Sequence, residues 1–266
     1  MKINILEGFD YGYATLTSKI GPGDYHYHNT YELYFLLKGR SEYFVKDKTY
    51  SVEENYIVLI PKNELHNNMY ITDKIERYVL NFSEDLITPS LLPVIKSLFK
   101  KPIYLPRHPN YLKRLMSDII NEYEKNDAFS AGILQCRLTE ILTYVARNPS
   151  LLLPDKAEIT HPSVAKLTHY MNDNYNKSLT LESAAQMLNM NRSYLSKLFH
   201  NNTGFTFKNY LSIIRIKHAK ELLTKTNKPI TAIAYECGFD DSNYFSTVFK
   251  KSEEISPLEY RRKFQI

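Results

Sequence analysis

The sequence predicts an α+β fold in two domains: an antiparallel β domain with two helices behind it, then an all-helical domain. Three observations predict it. Short strand-like runs broken by turns fill the chain to about residue 85, the hydrophobic period becomes helical after Pro109, and the last hundred residues contain an internal repeat. At 266 residues the chain is comfortable for two domains of roughly 100–150 residues each. An apolar fraction of 43% and a charged fraction of 24% exclude collagen-like and wholly disordered classes.

The β region is read from Tyr31–Leu37, Glu42–Val45, Thr49–Val52, Tyr56–Ile60 and Ile75–Phe82. These are separated by Gly39, Asp47-Lys48 and Pro61. Short strands with frequent turn signals indicate an antiparallel sandwich or barrel. Leu112, Leu115/Met116, Ile119 and Tyr123 then recur at three-to-four spacing, as do Leu134, Leu138, Ile141/Leu142 and Val145. They mark two amphipathic helices around Lys125-Asn126-Asp127. The second stripe would serve equally as a dimer seam or as a face packed on the β domain. Ser150 to Pro162 has the prolines and charges of an interdomain linker. The organisation expected is therefore a β domain at 1–106, a helical region at 107–148, a linker at 149–162 and a helical domain at 163–266.

Charge separates the halves. From His161 onward 15 Lys and Arg face 9 Asp and Glu, a net of +6, whereas the first 160 residues carry −1. A basic half points mildly to nucleic acid or another acidic surface. Cys136 and Cys237 lie far apart in apolar helical patterns and are read as buried core residues of a reducing compartment. No apolar run reaches the roughly 18 residues of a membrane span, and the N-terminus lacks a signal-peptide pattern, so a cytoplasmic location is expected.

The helical half repeats. At an offset of 50 residues Tyr194 falls on Tyr244, Ser196 on Ser246, Phe199 on Phe249 and Tyr210 on Tyr260. Upstream the offset is 49, with Ala185 on Ala234 and Leu181 on Ile230. Each copy reads as a short helix, a tight turn and a second helix. Thr180 is an expected N-cap without a full capping box, since Ser183 stands where Glu or Gln would. The second helix is apolar on one face (Leu195, Leu198, Phe199; Phe245, Val248, Phe249). Its other face is short and polar (Ser193, Ser196, Lys197; Ser242, Asn243, Ser246, Thr247). A helix that packs on a scaffold and enters a major groove needs these two faces.

The segment Leu179–Phe264 resembles the paired helix-turn-helix domain of AraC/XylS-type transcription regulators. The resemblance rests on Tyr194-Leu195-Ser196-Lys197-Leu198-Phe199 and Thr203-Gly204 in the first unit, and on Arg215, Ala219 and Leu222-Leu223 in the joining helix. In the second unit it rests on Cys237-Gly238-Phe239, Ser242-x-Tyr244-Phe245-Ser246, Phe249-Lys250-Lys251 and Ser256-Pro257-x-x-Tyr260-Arg261. It implies double-stranded DNA as partner, read by Arg192, Ser193, Ser196 and Lys197 from one recognition helix and by Ser242, Asn243, Ser246 and Thr247 from the other. Lys197, Lys208 and Lys250 are the expected phosphate contacts. The two helices would sit in successive major grooves, about 34 Å apart. Asn189 and Asn191 replace the family's usual Gly and Ser, and Glu254 replaces a usual Gly.

In the first half His26-x-His28-x-x-x-Glu32, a trailing Gly39, and Pro61 with His66 resemble the two motifs of cupin barrels. Asn63 stands where a Gly is usual. On a strand His26 and His28 would face the same side. His26, His28, Glu32 and His66 together would make an N3O site for Fe, Mn, Ni or Zn. Three readings stay open: a metal-free effector pocket lined by His26, His28, Glu32, Tyr34 and His66; a bound metal that helps hold an effector; and histidines that only satisfy hydrogen bonds. Tyr25, Tyr27, Tyr31, Tyr34 and Tyr43 offer stacking with hydroxyl tips, which suits a sugar.

The expected function is thus a cytoplasmic, ligand-responsive transcription regulator rather than an enzyme. It needs no cofactor unless the metal is present. The resemblance adds a homodimer, with the 107–148 helices as its dimerisation region, favours activation over repression, and leaves RNA polymerase open as a further partner. The rival is a metal-dependent cupin enzyme fused to a DNA-binding domain.

Overall fold

The computed structural model describes residues 8–16, 28–148 and 157–265. The chain consists of two compact units, Met1–Ile159 and Thr160–Ile266. In the first, the strands are β1 (Phe9–Leu16), β2 (Tyr31–Lys38), β3 (Ser41–Val45), β4 (Lys48–Val52), β5 (Ile57–Ile60), β6 (His66–Tyr70), β7 (Ile75–Phe82) and β8 (Ile103–Tyr104). The helices are α1 (Leu92–Leu98), α2 (Pro109–Lys125) and α3 (Ser130–Arg147). Every strand pairing is antiparallel. Among the described residues the strands form a five-stranded sheet, β1-β7-β2-β5-β8, and a three-stranded sheet, β4-β3-β6. The expected barrel is therefore not closed. β4 and β6 form no ladder with the larger sheet, and side chains between the sheets do the joining.

The larger sheet is covered on both faces. Leu33, Phe35, Leu59, Leu80 and Phe82 pack in one cluster with Leu112, Met116 and Ile119 of α2 and Leu134, Leu138, Ile141 and Val145 of α3. Tyr34, Leu36, Val58, Ile60 and Val79 pack in another with Tyr43, Val45 and Val52 of the smaller sheet. This explains why Tyr31 to Leu36 are buried without alternation. It also settles the α3 stripe: Leu134, Leu138, Ile141 and Val145 lie inside their own chain's core and are not a dimer seam. Cys136 faces the other way and is exposed, contrary to the expectation, whereas Cys237 is buried.

Of the expected linker, residues 149–156 lie outside the described residues. Its end is tied down. The Ile159 N–H donates to the Thr49 carbonyl at 2.8 Å, and Lys48 pairs with Glu158 at 2.7 Å, which covers the open edge of β4.

The second unit holds α4 (Pro162–Asp173), α5 (Leu181–Met187), α6 (Arg192–Thr203), α7 (Phe207–Lys225), α8 (Ile230–Glu236), α9 (Ser242–Glu253) and α10 (Pro257–Phe264). Capping follows the sequence closely. Thr180 and Ser183 do close a capping box, because the Ser183 hydroxyl accepts from the Thr180 N–H at 3.1 Å. Asn191 and Asp241 cap α6 and α9. Pro257 opens α10 at its first position, while Pro229 is the N-cap residue of α8. The long α7 is buried on several sides, through Tyr210, Leu211, Ile214, Ile216, Ala219 and Leu223. It serves the core of both repeats.

Two backbone positions recur across the repeat with different residues. Asn189 (φ 52°) and Gly238 (φ 85°) stand in the turns, and Gly204 (φ 75°) and Glu254 (φ 64°) cap α6 and α9. Asn tolerates the left-handed region, so the exchange in the first turn costs little. At Gly238 a Cβ would lie 2.8–2.9 Å from backbone atoms of Asn176, so only glycine fits. Glu254 has no such excuse: it occupies a left-handed cap where glycine would be relaxed. Thermal unfolding should therefore show opposite effects. Gly238→Ala is expected to lose about 2–4 kcal/mol, and Glu254→Gly to gain about 1 kcal/mol.

Candidate effector pocket and nucleic-acid interface

Cross-strand partners share a face of a sheet. β2 and β7 pair Glu32 with Asn81, Tyr34 with Val79 and Leu36 with Arg77. β3 and β6 pair Val45 with His66, Tyr43 with Asn68 and Ser41 with Tyr70. Since Tyr34, Leu36, Val79, Tyr43 and Val45 meet between the sheets, their partners face the same interior. A polar lane therefore runs through the sandwich. His66 and Glu32 stand at one end, Tyr34 and Asn68 in the middle, and Arg77, Tyr70 and Ser41 at the other, about 13 Å along β2.

At the first end Glu32 is buried. Its Oε2 lies 3.1 Å from His28 Nε2 and 3.6 Å from His66 Nε2, and its Oε1 accepts from the Tyr43 hydroxyl at 3.0 Å. Burial alone would raise the Glu32 carboxyl, but the hydrogen bonds and charge of His28 and His66 outweigh it and hold it well below the usual carboxylate range. Burial likewise pushes His66 down, and Glu32 overcomes that and raises it. Burial first, and Glu32 second, push the Tyr43 phenol well up. His28, Glu32 and His66 form a cluster whose donor atoms lie within 4.8 Å of one another. His28 precedes β2 rather than sitting on it, so the expected strand carrying His26, His28 and Glu32 is not observed; His26 lies outside the described residues.

Along the lane, Tyr34 Oη, Ser41 Oγ, Asn68 Oδ1, Arg77 Nε and Asn81 Oδ1 are buried and make no well-formed hydrogen bond among the described residues, although Asn68 and Ser41 lie close enough to the Tyr34 hydroxyl, and Arg77 to the Tyr70 hydroxyl, to act on them. The Arg77 guanidinium stands 5.7 Å from the centre of the Tyr34 ring, and the Tyr34 and Tyr43 rings meet edge-on at 5.0 Å. Burial pushes the Tyr34 phenol far up, so it stays a neutral donor and acceptor. Buried polar groups of folded proteins are satisfied by protein, solvent or ligand. Several such groups along one lane make a recognition surface for a polar molecule. Sequence reasoning found Tyr34 here but missed Ser41, Asn68, Tyr70, Arg77 and Asn81. Their signal was the polar run His66-Asn67-Asn68, which suppressed the strand pattern of β6.

In the second unit, α6 buries Leu195 and Phe199 and exposes Arg192, Ser193, Ser196 and Lys197. α9 buries Phe245 and Phe249, exposes Asn243, Thr247 and Lys250, and half-buries Ser242 and Ser246. The two helices present equivalent faces, as the repeat requires. Ser246 and Thr247 donate to the carbonyls of Ser242 and Asn243 at 2.9 and 3.0 Å, which leaves their oxygens as acceptors. Lys208 is exposed in the first turn of α7, and its ammonium lies 5.2 Å from the Tyr244 ring centre. Arg192 pairs loosely with Glu182 at 3.8 Å. The equivalent tyrosines Tyr194 and Tyr244, 54% and 43% exposed, complete each face. They were visible in the repeat but were not assigned a role.

Two arginines hold the two helix pairs in register. Arg215 of α7 donates to the carbonyls of Tyr175 and Lys177 at 2.8 and 2.9 Å. Arg261 of α10 donates to those of Leu223 and Lys228 at 3.4 and 2.6 Å. Arg215 reaches back from the helix after α6 to the connection before α5, and Arg261 from the helix after α9 to the last turn of α7 and the connection before α8.

Family models match both halves. An AraC-like ligand binding domain matches residues 20–142, and a helix-turn-helix domain matches residues 184–263. The lactose operon transcription activator of Staphylococcus xylosus is 33% identical over 153 residues, 58% of this chain; the chain spans about half the length of that relative, 54%. The transcriptional activator RhaR of Mannheimia succiniciproducens is 24% identical over 249 residues, covering 91% of this chain and 88% of the relative. The structure of ToxT from Vibrio cholerae covers 97% of this chain and 98% of its own at 21% identity, with a TM-score of 0.38. Among the described residues no helix is long and apolar enough to cross a membrane. With an AraC-like ligand-binding half followed by a helix-turn-helix half, the chain belongs to the AraC/XylS family of transcription regulators.

Proposed function

We propose that the chain is a ligand-responsive transcription regulator acting in the cytoplasm, where its double-stranded DNA target lies. The observation that carries this reading is the paired exposed polar face of α6 and α9, on two helix pairs built to the same plan. Each pair is taken as a helix-turn-helix unit. Ser193, Ser196, Ser242, Asn243 and Thr247 are the proposed base readers, with Lys197, Lys208 and Lys250 on phosphate. Activation is favoured by relatives described as activators. Relatives that regulate transcription also favour binding over catalysis, and the enzyme reading is set aside.

The polar lane is the proposed effector pocket. Its row of hydroxyl, amide and guanidinium groups suits a polyhydroxylated or oxyanionic small molecule, and a relative that activates a lactose operon supports a sugar. A homodimer and contact with RNA polymerase complete the proposal. Because the Leu134 stripe is used internally, dimerisation would have to use the outer face of α3, where Phe129 and Ile133 are exposed. The effector would act by binding one arrangement of the chain more tightly than another.

Anisotropy titration of labelled DNA from the gene's own upstream region tests the DNA reading. Selective binding that weakens steeply with salt is expected. Binding of no DNA at low salt would overturn it. Lys197→Ala should weaken binding to all sequences alike and flatten the salt slope by about 1 if Lys197 holds phosphate. A loss of about 1–3 kcal/mol at one base pair would make it a base reader instead. Tyr34→Phe separates stability from recognition. It removes a buried hydroxyl that makes no well-formed hydrogen bond among the described residues, so the ligand-free protein should lose less than about 1 kcal/mol. The thermal shift produced by the effector, found by screening sugars and sugar acids, should fall sharply.

A further inference from the structure

We propose that α9 is specific for A·T base pairs, with the Asn243 amide on an adenine and the Thr247 methyl on a thymine. The inference deepens the DNA-binding reading above and rests on it. The two copies of the repeat differ in hydrogen-bonding character at equivalent positions. At an offset of 50 residues Arg192 falls on Ser242, Ser193 on Asn243 and Lys197 on Thr247. Arginine and lysine side chains only donate, so the first two turns of α6, where Arg192 and Lys197 are exposed, are rich in donors. The same turns of α9 hold no cation. There the Ser246 hydroxyl donates to the Ser242 carbonyl at 2.9 Å, and the Thr247 hydroxyl to the Asn243 carbonyl at 3.0 Å. Each hydroxyl then presents an acceptor oxygen but no donor, and Thr247 adds a methyl group.

The major-groove edges of the bases discriminate between such faces. Guanine shows two acceptors, N7 and O6, and is read by a bidentate Arg or Lys. The N-terminal turns of α9 carry neither. Adenine and cytosine show amino groups, which suit a face rich in acceptors. The Asn243 amide both accepts and donates, and so matches adenine N6 and N7 together. The partner thymine adds a C5-methyl group, the natural neighbour of the Thr247 methyl. Asn243 and Thr247 are both exposed and stand one turn apart on one face, opposite the buried Phe245 and Phe249. They can therefore act on neighbouring base pairs. Charge points the same way. Asp240 and Asp241 stand at the entry of α9, where the first copy has Met190 and Asn191. Asp241 Oδ1 is committed to the Tyr244 N–H at 2.6 Å. Beside two carboxylates both phosphate and the two-acceptor edge of guanine are disfavoured.

The test selects binding sites for the full-length chain from a random double-stranded DNA library. Two elements about 10–10.5 base pairs apart are expected, one of them made of A·T pairs. Asn243→Ala identifies that element, because selection with this variant should lose the preference there and keep the other. On the selected duplex Asn243→Ala should bind about 10-fold more weakly, and Asn243→Arg should exchange the selected adenine for guanine. Deoxyuridine in place of thymine removes only the C5-methyl. At one position of the element it should weaken wild-type binding about 4-fold, the effect of one buried methyl, and leave Thr247→Ser unaffected. All three positions changed are exposed, and unaltered binding to unselected DNA at low salt verifies that the variants fold. Three results would overturn the proposal and leave the regulator reading in place: guanine or cytosine selected at the element that Asn243→Ala alters, an unchanged selection by Asn243→Ala, or equal sensitivity of wild type and Thr247→Ser to deoxyuridine. Binding of no DNA at low salt would overturn the regulator reading itself.

Discussion

The first unit depends on one constraint: a carboxylate is buried between two sheets that no ladder joins among the described residues. Glu32 sits on a strand covered by helices on one face and by the smaller sheet on the other. An unpaired charge in that position would cost several kcal/mol. It is tolerated because His66 from the opposite sheet, His28 from the segment before β2 and Tyr43 from β3 all reach it. The interaction therefore does more than neutralise a charge. It ties the mouth of the sandwich together across the gap between sheets, with charge-assisted bonds that have directional requirements apolar packing lacks. Apolar side chains, among them Leu36, Val45, Val52 and Ile75, pack around the polar groups and close the rest of the seam.

The second unit solves a different problem. A repeat of about 50 residues is too small to bury much surface alone, and the long α7 supplies core to both copies. Arg215 and Arg261 then tie each copy down by capturing backbone carbonyls just before it, in the α4–α5 connection for Arg215 and in the last turn of α7 and the following connection for Arg261. Carbonyl capture is insensitive to which side chains occupy that connection. The exposed polar faces of α6 and α9 can thus differ in sequence while their helices keep equivalent positions.

Legibility in the sequence followed the physics of each element. The strands β2, β3, β4, β5 and β7 were legible because their buried faces are apolar, and α2 and α3 because a single face packs on the sheet. β6 was not, because His66, Asn68 and Tyr70 point into a polar interior and so carry no hydrophobic alternation. β1, with Asp10 and Gly12, and the short α1 were missed for want of a periodic signal. Barrel closure was beyond reach as well, since it depends on pairing between distant strands. The helices α6 and α9 were the most legible part, since two copies of one pattern support each other. In the site, His28, Glu32 and His66 were visible as a motif, but Arg77 and Ser41 are single polar residues whose meaning appears only when register places them.

Where a chain departs from good folding practice indicates what it was selected for. In the first unit five buried polar atoms with no well-formed hydrogen bond among the described residues point into one interior, among apolar neighbours that could have replaced them. A sandwich selected only to scaffold a dimer would fill such a lane with Val and Ile, as β5 does with Ile57 to Ile60. In the second unit the main local strain, Glu254 in a left-handed cap, lies past the end of α9, away from the residues at its N-terminal turns. That departure is isolated and touches no recognition residue. The contrast separates a cluster of unmet hydrogen bonds, which a ligand can satisfy, from a single unfavourable dihedral, which none can. It is the clustering along one lane that supports reading the sandwich interior as a candidate binding site.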